Sequence, residues 1–237
     1  MKKAFMFVLV VITVAVVFWG IKTHLYNEGE VVNEDFEITG EIKKLDIDAA
    51  LLNIKIEEGK EYKVEFKGDE NFRPVFDYDE NTGALLIKQN QKVKKANLKT
   101  DNKLTIEIPR DNEMDSFIAE LAIGDLNVDD IVAKEISLTG NMGNIEVNKC
   151  SSEKISIEAN MGDVEISKCD ATDLDITNSM GNVDITLEED VKEYSVEVSA
   201  SLGDVRIGKE KVDSSYKQNG DKGTIKVECN MGNVDIK

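Results

Sequence analysis

Polar and apolar residues alternate along most of the chain after residue 36, and the alternation breaks at regular points. In one stretch the apolar positions are 155, 157, 159 and 161, followed by 164 and 166. A period of two residues predicts β-strands that bury one face. The phase changes at Gly162-Asp163, where the glycine would let the backbone turn a corner.

This corner belongs to a six-residue unit: an apolar residue, glycine, Asp or Asn, an aliphatic residue, a polar residue and an aliphatic residue. Its six copies occupy residues 123–128, 142–147, 161–166, 180–185, 202–207 and 231–236, and their glycines are 19, 19, 19, 22 and 29 residues apart. One unit cannot bury its own apolar face, so stacked units should share a core. Because parallel crossovers are nearly always right-handed, we predict an all-β, right-handed, single-stranded parallel β-helix (a solenoid) rather than an antiparallel meander.

Stacking would place equivalent residues in columns along the β-helix. The column after the glycines alternates acid and amide: Asp125, Asn144, Asp163, Asn182, Asp204 and Asn233. Neighbouring carboxylates would repel each other at rung spacing, whereas an amide between two of them could donate to both. We therefore expect a structural hydrogen-bonded ladder at this corner. The column before the glycines reads Ile, Met, Met, Met, Leu and Met, which we interpret as core filler.

A degenerate copy precedes the repeats at residues 51–56, where Leu52 replaces the glycine, and residues 104–109 form an alternating run that ends in proline. Together with the repeated Met/Leu/Ile-Gly-Asp/Asn unit, these features resemble the bacterial putative-adhesin family of β-strand repeats, a domain of unknown function. The resemblance covers residues 36–237. It implies a membrane-anchored β-helix, in a family sometimes encoded beside cell-envelope stress systems, and it supplies no catalytic residues.

The first 22 residues predict a membrane anchor. An uncharged apolar run covers residues 4–21, and as a helix it would span roughly 27 Å, close to the bilayer core. Lys2 and Lys3 precede it, which predicts a single-pass cell-membrane protein with its solenoid on the extracytoplasmic side. The alternative is a cleaved signal peptide, but no small-residue cleavage site follows the run. Residues 23–35 are then a linker and residues 36–237 the solenoid, with regular rungs over residues 117–237.

Composition excludes several classes of function. A formal net charge of −18 opposes binding to nucleic acid. The only histidine is His24, beside the apolar run, so the solenoid can form neither a Ser-His or Cys-His nucleophile pair nor a histidine-ligated zinc site. We therefore expect a protein that is not an enzyme and has no cofactor and no dedicated metal site.

Carboxylates on the outer face leave two weaker hypotheses. Glu146, Glu165 and Asp184 should share an outward column and are weak candidates for a divalent cation, since hard cations take carboxylate oxygens. Glu146 and Glu165, about 5 Å apart, would also suit a retaining glycosidase. No aromatic platform accompanies the pair in the sequence, and a solvated acidic face is our preferred interpretation.

One segment opposes the acidic trend. Its six lysines are Lys88, Lys92, Lys94, Lys95, Lys99 and Lys103. They are candidates for contact with a partner, which could be anionic wall polymer, lipid head groups or the acidic face of another copy. The simpler interpretation is a solvated loop.

Two further predictions concern cross-links and self-association. Cys150 and Cys169 should lie in adjacent rungs within disulfide range, although two small apolar side chains filling a corner are the preferred interpretation, and Cys229 should be a buried thiol. The sequence ends inside a repeat, and an open parallel edge at the C-terminus would allow homo-association. The insertion between Gly208 and Thr224 could instead cover that end.

These observations predict a non-enzymatic, membrane-anchored, extracytoplasmic solenoid that acts as an adhesin-like binding module at the cell envelope. Its partner would be cell-wall polymer or a membrane protein. The alternative is an accessory or sensory protein of an envelope-stress response that acts through a membrane partner. The first hypothesis requires that the isolated solenoid binds envelope material, whereas the second requires the anchor.

Overall fold

The computed structural model of the protein describes residues 30–89 and 101–237, and this part of the chain forms eighteen β-strands and two short 3-10 turns. The strands are β1 (Val31–Glu37), β2 (Lys44–Leu51), β3 (Asn53–Gly59), β4 (Lys63–Asp69), β5 (Val75–Asp79), β6 (Ala84–Lys88), β7 (Lys103–Pro109), β8 (Glu113–Ile123), β9 (Leu126–Met142), β10 (Ile145–Met161), β11 (Val164–Met180), β12 (Val183–Leu187), β13 (Ser195–Leu202), β14 (Val205–Ile207), β15 (Glu210–Val212), β16 (Ser215–Gln218), β17 (Thr224–Met231) and β18 (Val234–Ile236). The 3-10 turns are Glu70–Phe72 and Val191–Glu193. The all-β prediction is confirmed.

The predicted membrane anchor at residues 4–21 lies outside the described residues. Within residues 30–89 and 101–237, no helix has the length and apolar character needed to cross a bilayer. Residues 31–35, which the sequence pattern assigned to the linker, belong to β1, and β1 pairs antiparallel with β4. The folded domain therefore begins earlier in the chain than the pattern indicated.

Each regular rung contains three short buried runs. In β10 the buried side chains are Ile145 and Val147, then Cys150 and Ser152, then Ile155, Ile157 and Ala159. The alternation slips by one residue at Lys149, whose φ of 50° is left-handed, and again near residue 153. A third slip follows at Gly162, where the chain begins the next rung.

Parallel pairing between residues 19 apart joins the regular rungs. Ile145 pairs with Val164 and Ile157 pairs with Ile176, and the same register joins β9 to β10. Equivalent apolar side chains therefore stack in one continuous core that extends from Ile42 to Ile236. The parallel, in-register stacking that the 19-residue spacing predicts is present in the structure.

The order of rungs in the stack differs from their order in the chain at both ends. At one end, β6 and β7 form the outer rung, and β2 and β3 lie between them and the regular rungs of β8 and β9. At the other end, the C-terminal strands β17 and β18 are inserted between β11/β12 and β13/β14. The last two copies of the repeat therefore exchange places in every column.

The expected open edge at the C-terminus is wrong, because β17 and β18 have parallel partners on both sides. The insertion between Gly208 and Thr224 covers the outer rung instead, since β15 and β16 pair antiparallel with β14 and β13. Strands β4 and β5 cover the opposite end through antiparallel pairs with β7 and β6. Short antiparallel strands thus terminate the parallel stack at both ends.

The glycine column leaves no room for a side chain between neighbouring rungs. Gly162 has a φ of 144°, and a Cβ built on it would lie 2.0 Å from the carbonyl oxygen of Gly143. The same distance is 1.9 Å at Gly181, measured to the oxygen of Gly162. The N–H of Gly162 meanwhile donates to the carbonyl of Met180 at 2.9 Å. Only glycine fits both the backbone conformation and this distance.

The apolar column before the glycines is not core filler, and that interpretation is wrong. Met142, Met161, Met180 and Met231 are 40–46% exposed, Ile123 is 40% exposed and Leu202 is 66% exposed. The physical reason is that the corner begins early: Asn160 and Met161 are both exposed, so the inward alternation ends at Ala159. These six side chains lie on the outside of the corner.

The structure decides between the two interpretations of Cys150 and Cys169 in favour of a disulfide. The two residues are in adjacent rungs with Cα atoms 4.7 Å apart, and both are buried. The preferred interpretation as unlinked apolar fillers is therefore wrong. Cys229 is a buried free cysteine, and burial raises the pKa of its thiol.

We expect Gly162→Ala to lower the free energy of unfolding by at least about 2 kcal/mol, because a Cβ meets both a strained φ and a backbone contact. Urea unfolding followed by circular dichroism measures the change. Gly140→Ala is the matched control, since its Cβ would approach only side-chain atoms of Ile145 at 3.2 Å and the paired residue is already Ala159. Equal losses in the two variants would contradict the role given to the glycine column.

We expect reduction of the Cys150–Cys169 disulfide to lower the free energy of unfolding by roughly 3 kcal/mol, since the bond closes a loop of 19 residues. The measurement is the urea midpoint with and without a reductant. The double variant Cys150→Ala, Cys169→Ala should show no dependence on reductant, and Cys229→Ala should keep the full dependence. A midpoint that reductant shifts equally in wild type and double variant would refute this source of stability.

Candidate functional site

The predicted Asp/Asn column forms a continuous ladder, but the donors are backbone groups rather than side-chain amides. Oδ1 of Asp125 accepts from the N–H of Asn144 at 2.8 Å, and Oδ1 of Asn144 accepts from the N–H of Asp163 at 2.9 Å. The same contact joins the other neighbours in stack order: Asn53 to Asp125, Asp163 to Asn182, Asn182 to Asn233, and Asn233 to Asp204. Acids and amides offer the same acceptor oxygen, so strict alternation is unnecessary. This column stabilises the corner.

The next outward column carries four consecutive carboxylates, which we call the acidic column. Glu146 pairs with Glu165, and Glu165 pairs with Asp184, as the repeat predicts. The inserted C-terminal rung then places Asp235 beside Asp184. Arg206 follows Asp235 and ends the acidic run. The exchange of rungs therefore lengthens the run, because chain order alone would have placed Arg206 next to Asp184.

Asp184 is the member of the acidic column whose ionised form is disfavoured by its surroundings. Partial loss of solvent raises the pKa of Asp184, the charge of Asp235 raises it further, and Lys237 opposes the shift. Oδ1 of Asp235 is shielded from solvent and has no hydrogen-bond partner. The ionised form of Asp184 is therefore less favourable in the folded chain than in the unfolded chain, and a cationic group placed over the pair would stabilise it.

The structure brings the divalent-cation candidates Glu146, Glu165 and Asp184 into one column without making them a metal centre. Among residues 30–89 and 101–237 there is no cluster of three or more such groups that could hold an ion. Equivalent side chains in adjacent rungs extend side by side, whereas metal ligands converge on one point. The acidic column is a line of charge, which suits an extended cationic partner better than a single bound ion.

Two of the six candidate lysines can be placed in the fold. Lys88 ends β6 and Lys103 begins β7, and both are exposed. Lys92, Lys94, Lys95 and Lys99 lie outside the described residues. β6 pairs with β2 and β7 pairs with β3, so the junction between β6 and β7 corresponds to the glycine corner of the regular rungs. The lysine-rich segment is the part of the chain that connects the two strands at this junction.

A polar groove of about 650 Å³ lies over the middle runs of several rungs, between Lys43 and Asp170. Lys134 and Asp115 form an ion pair in it at 2.6 Å. The hydrogen bond between them lowers the pKa of Asp115 and raises that of Lys134. The groove mixes both signs of charge and therefore selects for neither, so we assign it no ligand.

Sequence reasoning missed an exposed apolar surface, which we call the apolar ridge. In stack order its members are Ile123, Met142, Met161, Met180, Met231 and Leu202. Alternation alone could not have found it, because residue 161 has the parity of a buried position. The ridge follows the outside of the glycine corner, one residue away from the glycine column.

Comparison with known proteins places the fold. Residues 42–237 match the model of the Toastrack DUF4097 family. A solved structure described as a putative cell adhesion protein from Clostridium sporogenes is 21% identical, with a TM-score of 0.60, and the match covers 88% of this chain and 99% of that protein. A putative adhesin from Bacteroides fragilis is 11% identical, with a TM-score of 0.42 and coverage of 88% and 97%. No match was found among proteins of curated function. At this identity the Clostridium structure shows a shared fold.

We expect Asp184→Asn to raise the free energy of unfolding at neutral pH by up to about 0.5 kcal/mol, a small gain because the carboxylate is exposed and screened. A raised folded-state pKa means that the ionised form is the costly one. The penalty is absent at acidic pH, where Asp184 is protonated in both states, and it develops as the pH rises through the folded-state pKa. The gain should therefore appear between acidic and neutral pH.

Asp175→Asn is the control for this experiment, because Asp175 pairs with Lys226 in the neighbouring rung and its charge is favourable there. This variant should gain no stability at neutral pH. Urea unfolding of both variants at acidic and neutral pH provides the comparison. An Asp184→Asn protein that is no more stable than wild type at neutral pH would show that the column carries no repulsive cost.

Proposed function

The chain belongs to the Toastrack DUF4097 family, and on this basis we propose that it is a non-enzymatic, adhesin-like binding module of the cell envelope. The observation that carries the proposal is the linear repetition of its outer surface, where similar side chains recur in register from rung to rung. Such a surface suits an extended partner, whereas a small substrate needs a concave site with convergent groups. The description of the Clostridium protein as a "putative cell adhesion protein" agrees with this function.

The finer proposal is a right-handed solenoid held on the extracytoplasmic side of the cell membrane by residues 4–21. The apolar run with Lys2 and Lys3 before it supports the anchor and its orientation. The disulfide supports the compartment, since disulfides persist outside the reducing cytoplasm. Because β1 pairs with β4 and β4 pairs with β7, the start of the described chain is at the same end of the stack as Lys103, which begins β7.

We assign the partner to the acidic column. Its four carboxylates are contiguous, and the charge of Asp235 disfavours the ionised form of Asp184 beside it. Positive groups spaced along wall material, or cations bound to it, would relieve this repulsion on binding, so that contact gains free energy beyond simple charge attraction. Such contact weakens as salt is added.

Residues 30–237 should sediment with isolated cell walls at low ionic strength. Neutralising the acidic column should reduce the bound fraction several-fold; the changes are Glu146→Gln, Glu165→Gln, Asp184→Asn and Asp235→Asn. A matched control removes four exposed carboxylates from another face: Glu158→Gln, Asp173→Asn, Asp175→Asn and Glu228→Gln. Repeating the assay with calcium and with a chelator tests whether cations bridge the column to the wall.

Three outcomes would oppose this assignment. Equal retention of the two quadruple variants would show that only net charge matters. Loss of retention on neutralising Lys88, Lys103 and the four lysines between them would move the site to that segment. A domain that stays in solution with walls under every condition would contradict the adhesin-like function itself, and binding that requires residues 1–29 would then favour the accessory or sensory hypothesis.

A further inference from the structure

The apolar ridge is an uninterrupted line of exposed apolar side chains along six rungs. Its members are 40–66% exposed, and in-register pairing places Met161 between Met142 and Met180. They expose on the order of 500 Å² together, which is within the size of the largest apolar patches on typical monomers and is often functional. Each of these side chains keeps a large part of its apolar area in contact with water, and a partner that covered the ridge would remove that area from water.

The corner itself does not require apolar residues. The column immediately before the ridge is exposed or half-buried at the same corner and is mainly polar, with members Ala122, Asn141, Asn160, Ser179, Asn230 and Ser201. Asn160 donates to Asn141 along this column at 2.7 Å. Polar side chains are therefore compatible with the corner, whereas every rung of the ridge carries Met, Leu or Ile.

The ridge is also the centre of a strip without charge. The polar column on one side and the glycine column on the other contain no ionisable side chain. Elsewhere the surface is strongly acidic, with a net charge of −18 for the chain. Two copies of this protein repel each other over most of their area, but contact along the strip would keep their carboxylates at the margins.

These observations favour a second copy of the chain as the occupant. Two ridges have the same rung spacing of about 4.8 Å, so contact made at one rung is repeated at the others. A lipid surface with anionic head groups is broad, so it would face the acidic flanks as well as the uncharged strip, whereas two corners of this fold meet along the strip alone. The exposed apolar area is smaller than the roughly 800 Å² per partner of a standard interface, which indicates a weak dimer.

We propose that two copies of this protein associate ridge against ridge, through Ile123, Met142, Met161, Met180, Met231 and Leu202. This goes beyond the proposed envelope binding, which uses the acidic column on the next face of the rung. The association is driven by removal of the ridge from water, so salt should strengthen it by screening the repulsion between the acidic flanks.

Sedimentation equilibrium of residues 30–237, which contain every described strand and the whole continuous core, tests the association. We expect a monomer–dimer equilibrium that shifts toward dimer as salt is added. Met161→Glu with Met180→Glu should weaken dimerisation at least tenfold. The control is Ser156→Glu with Thr177→Glu, on the outward face of the same two rungs, which adds the same charge without touching the ridge. Circular dichroism confirms that both double variants are folded.

Cysteine cross-linking in the full chain, in membranes, locates the contact. Met142→Cys, Met161→Cys and Met231→Cys are introduced singly in a Cys229→Ala background, with Ser156→Cys as the control. Mild oxidation should give covalent dimers from ridge cysteines and none from position 156. A parallel pair cross-links at all three ridge positions and an antiparallel pair only near the centre, because cysteines with Cα atoms more than about 7 Å apart cannot be bridged. Both patterns support the proposal.

The proposal is overturned if residues 30–237 stay monomeric at all salt concentrations, or if the ridge and control variants dimerise equally. It is also overturned if the domain is monomeric and binds uncharged lipid vesicles in a way that Met161→Glu with Met180→Glu abolishes, since the ridge would then serve a membrane. These outcomes are separable from wall binding, because the acidic column is unchanged in every variant of this test.

Discussion

The close approach of glycine backbones at one corner is the constraint on which the rest of the structure depends. The position of the missing Cβ of Gly162 is 2.0 Å from the carbonyl oxygen of Gly143, so the two corners stack with nothing between them. At the same corner, Oδ1 of Asn144 accepts from the N–H of Asp163 in the next rung, at 2.9 Å. The ladder fixes the register at every corner, and register in turn decides which side chains become neighbours in every other column.

The exchange of rungs at the two ends changes what those columns contain. Insertion of β17 and β18 makes Asn233 a neighbour of Asn182, which the ladder tolerates because both oxygens accept from backbone groups. The same insertion places Asp235 beside Asp184, which is unfavourable because both groups are charged. The insertion of β17 and β18 is therefore tolerated in the Asp/Asn ladder, but it is unfavourable in the acidic column.

The periodic part of this structure follows from the sequence, and the non-periodic part does not. The 19-residue spacing was sufficient for the parallel register, the glycine corner and the neighbours Glu146 and Glu165. The rung order was not predictable, because spacings of 22 and 29 residues state how much chain is inserted but not on which side of a rung the chain returns. Met161 was misassigned because parity cannot show where a strand ends and a corner begins. The spacing of Cys150 and Cys169 gave their distance but not their bond.

Two columns on the outside of the rungs carry side chains that are not the best choice for the stability of the isolated fold. The acidic column retains mutual repulsion, although Arg206 in the same column shows that a base fits there. The methionines of the apolar ridge are 40–46% exposed, although Asn160 beside Met161 shows that polar residues fit the corner. Local conflicts of this kind are expected where a surface serves binding rather than stability.

The two columns are on either side of the glycine corner, four positions apart in the chain at Met161 and Glu165. The corner between them therefore places the apolar ridge and the acidic column on different faces of the rung. A partner copy packed on the ridge would leave the carboxylates facing outward. In an antiparallel pair the two acidic columns would lie on the same side and could contact one extended ligand, whereas in a parallel pair they would lie on opposite sides. Paired columns would raise the effective concentration of the second contact after the first has formed, so that weak self-association and weak wall binding reinforce each other.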